Sequence, residues 1–346
     1  MTVRTSKALR VSNSLMKYDD NEIRALVESG EQLGVGIGGE TKIVRLGDET
    51  VFAKLLPLAE AEEPDPTSTA SQLQLPFTSH YGIGCPSAGV GRELAAHQLT
   101  SQWVQSGAVD FFPLLLGWRI IDLKSKLDLR EFEGEQPRHQ WGPHWPQLDQ
   151  RLRSLEQASS SMVLFLEYLP ETLGDWLRRR LSDGSDSRAF SQAVNQILSA
   201  TAWMASQGFL HFDVHPGNIL VKEDRLLFTD FGLSLHHESF ELTKGERSAA
   251  DLHGGFDRDT ALMNLFHWVL YELGYTERLA RLKLLQSAAA SHNSPSLDPV
   301  REALGDGTDI IAQYADLAVT MTEMYSELLD DATATEYSRV SDHRVS

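Results

Sequence analysis

The stretch that most limits the fold lies between residues 210 and 233. It reads Leu210-His211-Phe212-Asp213-Val214-His215-Pro216-Gly217-Asn218-Ile219-Leu220-Val221 and, after a short gap, Leu227-Phe228-Thr229-Asp230-Phe231-Gly232-Leu233. Two short apolar strands flank the gap. Each carries polar residues at one end: His211, Asp213 and Asn218 before the first, Asp230 after the second. A plain polar hairpin would use Asp213 and Asn218 as ordinary turn residues. Seating two acids and an amide around an apolar scaffold is costly unless they meet something cationic. A hard divalent ion with oxygen ligands suits them, and Mg²⁺ commonly takes one or two carboxylates together with substrate phosphates. Asp213, nearby but outside the ligand pair, is then placed to accept a proton from an attacking hydroxyl.

The rest of the chain frames this stretch. Residues 19–30 have the capping start and apolar set of one short helix. A glycine-rich loop, Leu33-Gly34-Val35-Gly36-Ile37-Gly38-Gly39-Glu40, then opens a hairpin in which 41–46 and 51–56 alternate around a turn. Residues 59–91 read as an irregular insertion, with a solvated acidic turn at Glu60, Glu62, Glu63 and Asp65. A helix is expected at 92–104, a buried strand pair or strand edge at 111–121, a second polar insertion at 122–160 and a buried strand at 162–168. From 172 onward the pattern is helical. Leu173, Trp176, Leu177 and Leu181 make one stripe, and Phe190, Val194, Ile197 and Leu198 make another that ends at Gly208. Further helices are expected at 259–273, 276–289 and 309–328. A strand-rich first half and a helix-rich second half make an α+β chain with two lobes.

Composition removes several classes. The 346 residues, 41% hydrophobic, suffice for a real core. The single cysteine, Cys85, excludes an internal disulfide framework and a cysteine-only metal site. No apolar run approaches the roughly 18 residues of a membrane span. Residues 1–12 are basic and polar with no apolar core behind them, unlike a signal peptide, so a cytoplasmic protein is expected. The net charge of −18 repels nucleic-acid backbones and anionic lipids, which argues against nucleic-acid and membrane partners and leaves cationic partners open. His139 and His144, with Trp141 and Trp145, lack paired cysteines or close carboxylates. They read as a surface loop tucking its indoles, not as a metal patch.

The pattern His211-x-Asp213-x-x-x-x-Asn218 followed by Asp230-Phe231-Gly232 resembles the catalytic and metal loops of the protein-kinase-like superfamily. The resemblance implies a two-lobed kinase fold, with a strand-rich N-lobe over residues 1–168 and a helical C-lobe over 169–346. It implies Asp213 as the catalytic base, Asn218 and Asp230 as Mg²⁺ ligands, and His211 as a support of the loop. Gly34-x-Gly36-x-x-Gly39 matches the family's glycine-rich loop, whose N–H groups approach phosphates. Lys54 matches the strand lysine that neutralises α/β-phosphate charge, and Glu93 the helix glutamate that pairs with it. Without that pairing, Lys54 is a surface lysine at a strand end and Glu93 a solvated first-turn acid favoured by the helix dipole. Glu167-Tyr168-Leu169 falls where the family's hinge offers backbone groups to adenine, which places Glu167 and Leu169 at ATP. The resemblance covers about residues 33–273.

The departures bear on substrate and control. Phe212 stands where many regulated protein kinases have arginine, so control by a phosphorylated activation loop is not expected. His215 stands where Ser/Thr protein kinases usually have lysine, and this form of the loop looks more like haspin-type and aminoglycoside-phosphotransferase-type kinases. Phe52, not Ala53, lies two before Lys54, where the family often has a small residue over adenine. No Ala-Pro-Glu follows Gly232, and the acidic helix start at Asp257 and Asp259 comes early, with Asp259 expected to cap that helix or anchor the catalytic loop. The expected function is an ATP- and Mg²⁺-dependent kinase that phosphorylates a hydroxyl. A protein serine or threonine is favoured by the hinge strand and the full glycine loop. A small-molecule acceptor, such as a cationic aminoglycoside, is favoured by His215, the missing motif and the net charge. A pseudokinase acting as a binding module is opposed by intact Lys54, Asp213, Asn218 and Asp230.

Overall fold

The alternating residues of 41–46 and 51–56 become two long neighbouring strands, because every second side chain has an apolar face to bury. The computed structural model describes residues 2–73, 75–182 and 188–339. In it these strands join a five-stranded sheet of β1 (Glu31–Gly36), β2 (Gly39–Leu46), β3 (Glu49–Leu58), β4 (Leu115–Ile121) and β5 (Ser160–Glu167). All neighbours are antiparallel, in the order β1-β2-β3-β5-β4. The ladder between β3 and β5 sets Lys54 opposite Leu164 and Phe52 opposite Leu166. Val51, Ala53 and Leu55 point to the other face and are fully buried.

Helices α1 (Val3–Leu15), α2 (Asp20–Glu28) and α3 (Val90–Ser106) accompany the sheet. At the start of α2, Asp19 accepts the N–H of Glu22 at 2.8 Å while the Glu22 carboxylate accepts that of Asp19 at 2.9 Å. α3 lays Val90 and Leu94 onto Leu56, Leu58, Met162, Leu164 and Leu166. Each such fully buried aliphatic side chain stabilises by about 1.5–3 kcal/mol, and their packing fixes the helix that carries Glu93. α1 lies in a stretch that the sequence marked only as polar. It buries just Val11 and Leu15, too few for a clear helical stripe.

Among the described residues the first insertion is irregular as expected, with a 3₁₀ turn at Phe77–Tyr81. Its acidic turn is not solvated throughout. Glu62 is buried, takes a two-pronged bond from Arg151 at 3.0 Å and accepts the first N–H of α3 from Val90. The second insertion contains two helices, α4 (Gln136–Trp141) and α5 (Trp145–Gln157). Both have proline in the first turn, where its missing N–H costs nothing, so residues that look like breakers are helix starts. Trp141 is buried, and the Arg138 guanidinium sits 5.6 Å over the Trp145 ring.

The chain divides into two units, Met1–Leu169 with Thr229–Arg247 and Pro170–Phe228 with Ser248–Ser346. Residues 229–247, Asp230 included, belong with the unit that carries the sheet. The second unit holds β6 (Glu171–Thr172), α6 (Leu173–Ser182), α7 (Arg188–Ser206), β7 (Phe209–Leu210), β8 (Ile219–Lys222) and β9 (Arg225–Phe228). β6, β8 and β9 form a small antiparallel sheet. Helix α8 (Lys244–Leu252) is followed by α9 (Phe256–Glu272), α10 (Arg278–Ala290), α11 (Asp298–Leu304), α12 (Gly307–Gln313) and α13 (Ala315–Asp330). The single helix expected at 309–328 is interrupted at Tyr314. Bonds from Tyr314 N to Ile310 O and from Ala318 N to Tyr314 O nevertheless carry the ladder across the break. No helix among the described residues is long and apolar enough to cross a membrane.

One group in the second unit makes stability depend on pH. Arg281 donates to His267 Nδ1 at 3.2 Å, so the other ring nitrogen, Nε2, carries the proton towards Thr322 Oγ1 at 2.8 Å. Burial, then the charges of Arg281 and Arg278, hold the imidazole pKa down to about 4. An unfolded histidine takes up its proton near pH 6.5, and the folded one resists until about 4. Stability is therefore lost as pH falls through that window, at up to about 1.4 kcal/mol per pH unit. Urea unfolding at pH 7 and pH 4.5 should show a smaller acid loss for His267→Gln than for the wild type. Equal losses would remove His267 from the account.

Candidate active site

In the first unit the sheet and α3 bring three charged groups together. Lys54 Nζ lies 2.5 Å from Glu93 Oε1 and 2.9 Å from Asp230 Oδ1. Lys54 is 9% exposed and Glu93 1%, so neither is the surface group that its local sequence would equally allow. Burial works against the Lys54 ammonium, but the charges of Asp230 and Glu93 overcome it and hold its pKa above the ordinary lysine value. Burial also pushes the Glu93 carboxyl up, against the pull of Lys54, and the charge of Asp230 adds to the rise.

Asp230 adopts a left-handed backbone conformation with φ 67°, which aspartate tolerates better than most residues. Its side chain is 45% exposed, so the carboxylate that meets Lys54 also meets solvent. The next residue, Phe231, is fully buried, 4.7 Å from the His97 ring on α3 and 6.0 Å from Phe112. His97 lies one helical turn beyond Glu93. One helix thus places both the partner of Lys54 and the ring that anchors Asp230.

The glycine-rich segment is less of a loop than its composition suggests. Gly34 and Gly36 belong to β1 and Gly39 starts β2, with Ile37-Gly38 as a tight turn. The three glycines differ in what they allow. Gly39 has φ 133°, and a Cβ there would fall 1.9 Å from the Leu55 carbonyl oxygen, so the fold itself demands it. A Cβ on Gly34 would touch Thr41 Oγ1 at 3.4 Å, and one on Gly36 or Gly38 would meet nothing within 4 Å. The turn is thus open at Gly36 and Gly38, and backbone N–H groups of such a turn are able to approach an anion.

Phe52 shares the face of Lys54 and is half-buried against the Leu56 and Leu166 cluster. At the end of β5 the Glu167 N–H is held by Leu114 O at 2.9 Å. Its carboxylate takes Arg4 of α1 at 2.8 Å, and the same guanidinium reaches the carbonyls of Asp110 and Phe112. Leu169 is buried at the end of this segment.

The segment after Asp230 is tied back to the first insertion. Glu241 accepts from Ser68, Thr69 N and Ala70 N. Glu246 lies 2.8 Å from the fully buried Arg92, so a carboxylate of the segment itself occupies that guanidinium. Burial opposes the Glu246 charge, yet bonds from His80 and Arg92 hold its pKa well below the usual carboxylate range.

In the second unit, the loop from His211 to Asn218 is pinned from within and from α9. Asp213 N donates to His211 Nδ1 at 3.3 Å. Asn218 Nδ2 donates to Asp213 Oδ2 at 2.9 Å and to Asp213 O at 3.1 Å, which leaves the Asn218 amide oxygen as an acceptor. His215 Nδ1 takes the N–H of Gly217, and its Nε2 stands 3.9 Å from Asp213 Oδ1. The anchor on α9 is Asp257, not Asp259. Its two carboxylate oxygens accept the N–H groups of His211 and Phe212, each at 2.8 Å, and Asn264 donates to Val214 O at 3.2 Å. Asp259 does not cap the helix, whose N-cap is Gly255. It is fully buried and bound to Arg258 and Tyr337. Burial raises the Asp257 pKa, against His211 and the two N–H donors.

Each unit by itself offers oxygen donors of the kind a hard divalent cation takes: the first a half-exposed carboxylate at Asp230, the second an amide oxygen at Asn218. Among the described residues no group of three or more His, Cys, Asp and Glu could hold a metal by itself, so a substrate oxygen would have to complete the shell. Sequence reasoning missed Arg4, Asp257 and Asn264. Only Asp257 carried a signal, as one of two acids at a helix start, and the wrong one of the two was chosen.

A family model of the protein kinase domain matches residues 150–247. That stretch includes Glu167, Leu169, His211, Asp213, Asn218 and Asp230. Maternal embryonic leucine zipper kinase of Danio rerio is 39% identical over 87 residues, which is 24% of this chain and 12% of that protein. Serine/threonine-protein kinase PKH2 of Saccharomyces cerevisiae is 38% identical over 84 residues, 24% of this chain and 8% of that protein. The eIF-2-alpha kinase GCN2 of Schizosaccharomyces pombe is 32% identical over 100 residues, 25% of this chain and 6% of that protein. The similarity thus spans about an eighth of the first relative's length and less of the other two.

Proposed function

We propose, from the match of residues 150–247 to the protein kinase domain and the similarity to protein kinases, that the chain transfers the γ-phosphoryl group of ATP to a hydroxyl of a protein serine or threonine. The observation that carries this reading is Lys54, held between Glu93 at 2.5 Å and Asp230 at 2.9 Å. A buried ammonium oriented by two carboxylates is a fixed positive charge, suited to the α- and β-phosphates. The Gly34, Gly36 and Gly39 turn would receive the phosphate chain, and the backbone around Glu167 and Leu169 the adenine. Asn218 and Asp230 would hold Mg²⁺, which supplies neutralisation of charge on the phosphate oxygens. Asp213 takes the proton as the acceptor O–H bond breaks. The new P–O bond forms at the γ-phosphorus, and the β,γ-bridging bond breaks to release ADP. His211 keeps Asp213 in place through the N–H that it accepts. Positioning and electrostatics do most of this work.

A small cationic acceptor is the second reading, favoured by the net charge of −18 and by His215 standing beside Asp213. Incubation with labelled ATP and Mg²⁺ and, in turn, no acceptor, generic protein acceptors and aminoglycosides separates the two. The unfolding midpoint should rise with ATP plus Mg²⁺, by an amount equivalent to about 2.7 kcal/mol at a hundredfold excess over Kd, and much less with ATP plus chelator. A shift with no transfer to any acceptor would turn the reading to a nucleotide-binding module. No shift at all would end it.

A further inference from the structure

Beyond α13 the chain from 331 to 339 packs back against the start of α9. Ala332 is fully buried and Tyr337 nearly so. The Tyr337 hydroxyl donates to Asp259 Oδ2 at 2.7 Å, and Asp259 has no exposure. The Tyr337 ring lies edge-on to Phe256 at 5.2 Å and tilted on His253 at 5.4 Å. Those same two rings carry Phe212, at 5.1 Å and 5.8 Å. Gly255 makes the fit possible, since a Cβ there would come 2.7 Å from the Tyr337 hydroxyl oxygen. Two residues before Asp259, Asp257 holds the N–H groups of His211 and Phe212.

Phe212 needs this support. It has φ 65°, a left-handed conformation that costs a side chain with a Cβ roughly 1–2 kcal/mol. Such a conformation persists only where the surroundings over-determine it. Asp257 fixes its N–H, and Phe256 and His253 fix its ring. Tyr337 closes on both rings and on the first turn of the helix that carries Asp257. Burial and the charge of Asp259 hold the phenol pKa above its ordinary value, so the hydroxyl stays a donor.

We infer that Tyr337 is a positioning residue for the loop that bears Asp213, acting through Asp259, Phe256 and His253 to keep Phe212 in its left-handed conformation. This rests on the reading of that loop as catalytic, so the test has one arm that needs no activity. Amide hydrogen exchange is followed over 209–218 in the full chain, with α7 as an internal reference, for wild type, Tyr337→Phe, Tyr337→Ala and Gly255→Ala. Exchange at 211 and 212 should quicken about tenfold or more in Tyr337→Ala and Gly255→Ala and less in Tyr337→Phe, with α7 unchanged. In the kinetic arm, kcat should fall about tenfold in Tyr337→Ala with KM for ATP within about twofold, and Tyr337→Phe should restore part of it. A purely structural tyrosine would lower the unfolding midpoint and quicken α7 along with the loop, which overturns the inference. So does unchanged exchange at 211 and 212 in every folded variant. If Tyr337→Ala does not fold, Tyr337→Phe and Gly255→Ala decide by the same criterion. A wild type that transfers no phosphate, yet shows the exchange effect, would sink the kinase reading and leave the positioning role standing.

Discussion

Asp213→Asn is expected to lower kcat by about 10²–10⁴-fold while leaving the affinity for ATP with Mg²⁺ within about twofold. The substitution is nearly isosteric, and the Asn218 amide that donates to Asp213 Oδ2 at 2.9 Å can donate equally to an amide oxygen. The loop should keep its shape, because its anchors are elsewhere: Asp257 on the N–H groups of His211 and Phe212, and Asn264 on the Val214 carbonyl. What is lost is a basic oxygen for the acceptor proton. Asp230→Asn should behave differently, since it weakens the proposed Mg²⁺ ligand and removes one of the two charges on Lys54, so Mg²⁺-dependent nucleotide binding should fall with the rate. Single-turnover rates and nucleotide titrations on the two variants separate these effects. Wild-type turnover in Asp213→Asn would remove it as the base.

The second large effect concerns Lys54. Lys54→Met should abolish transfer and destabilise the fold by about 3–5 kcal/mol at neutral pH, because it strands the Glu93 carboxylate in a site 1% exposed. The Glu93 pKa is already raised by burial, and without Lys54 its neutral form is favoured further. A group whose folded pKa lies above its unfolded value gives stability at low pH that is lost as pH rises. The deficit of Lys54→Met should therefore shrink on acidification towards pH 5. Adding Glu93→Gln should recover much of the stability and none of the activity, so the two losses should fall well short of additive. Urea unfolding of the two singles and the double measures this. Strict additivity would make the 2.5 Å contact energetically idle and Glu93 a bystander.

The readable part of this chain was its local chemistry and its periodicity. The spacing of His211, Asp213, Asn218 and Asp230 was legible because four polar residues bracket two short apolar strands within one stretch. The helix at 19–30 and the hairpin around Gly47 were legible because caps, turns and alternation act between near neighbours. Charged side chains were another matter. Glu93 and Glu62 sit in helix-start and acidic-turn contexts that look solvated, and each is buried because a cation from far along the chain meets it, Lys54 in one case and Arg151 in the other. Neither Arg4 on Glu167 nor Tyr337 on Asp259 leaves a trace in the residues around it, since those pairs are 163 and 78 positions apart. Asp257 and Asp259 look alike in sequence, and only the direction each faces from α9 decides which one holds the loop. The sequence by itself determined the loop pattern and those strands and helices that carry a clear apolar period, because apolar periodicity states which faces must leave water. Only the tertiary structure decided which charges could leave water too, because a charge is buried at tolerable cost only when its partner arrives at hydrogen-bond distance, and packing between remote segments sets that distance.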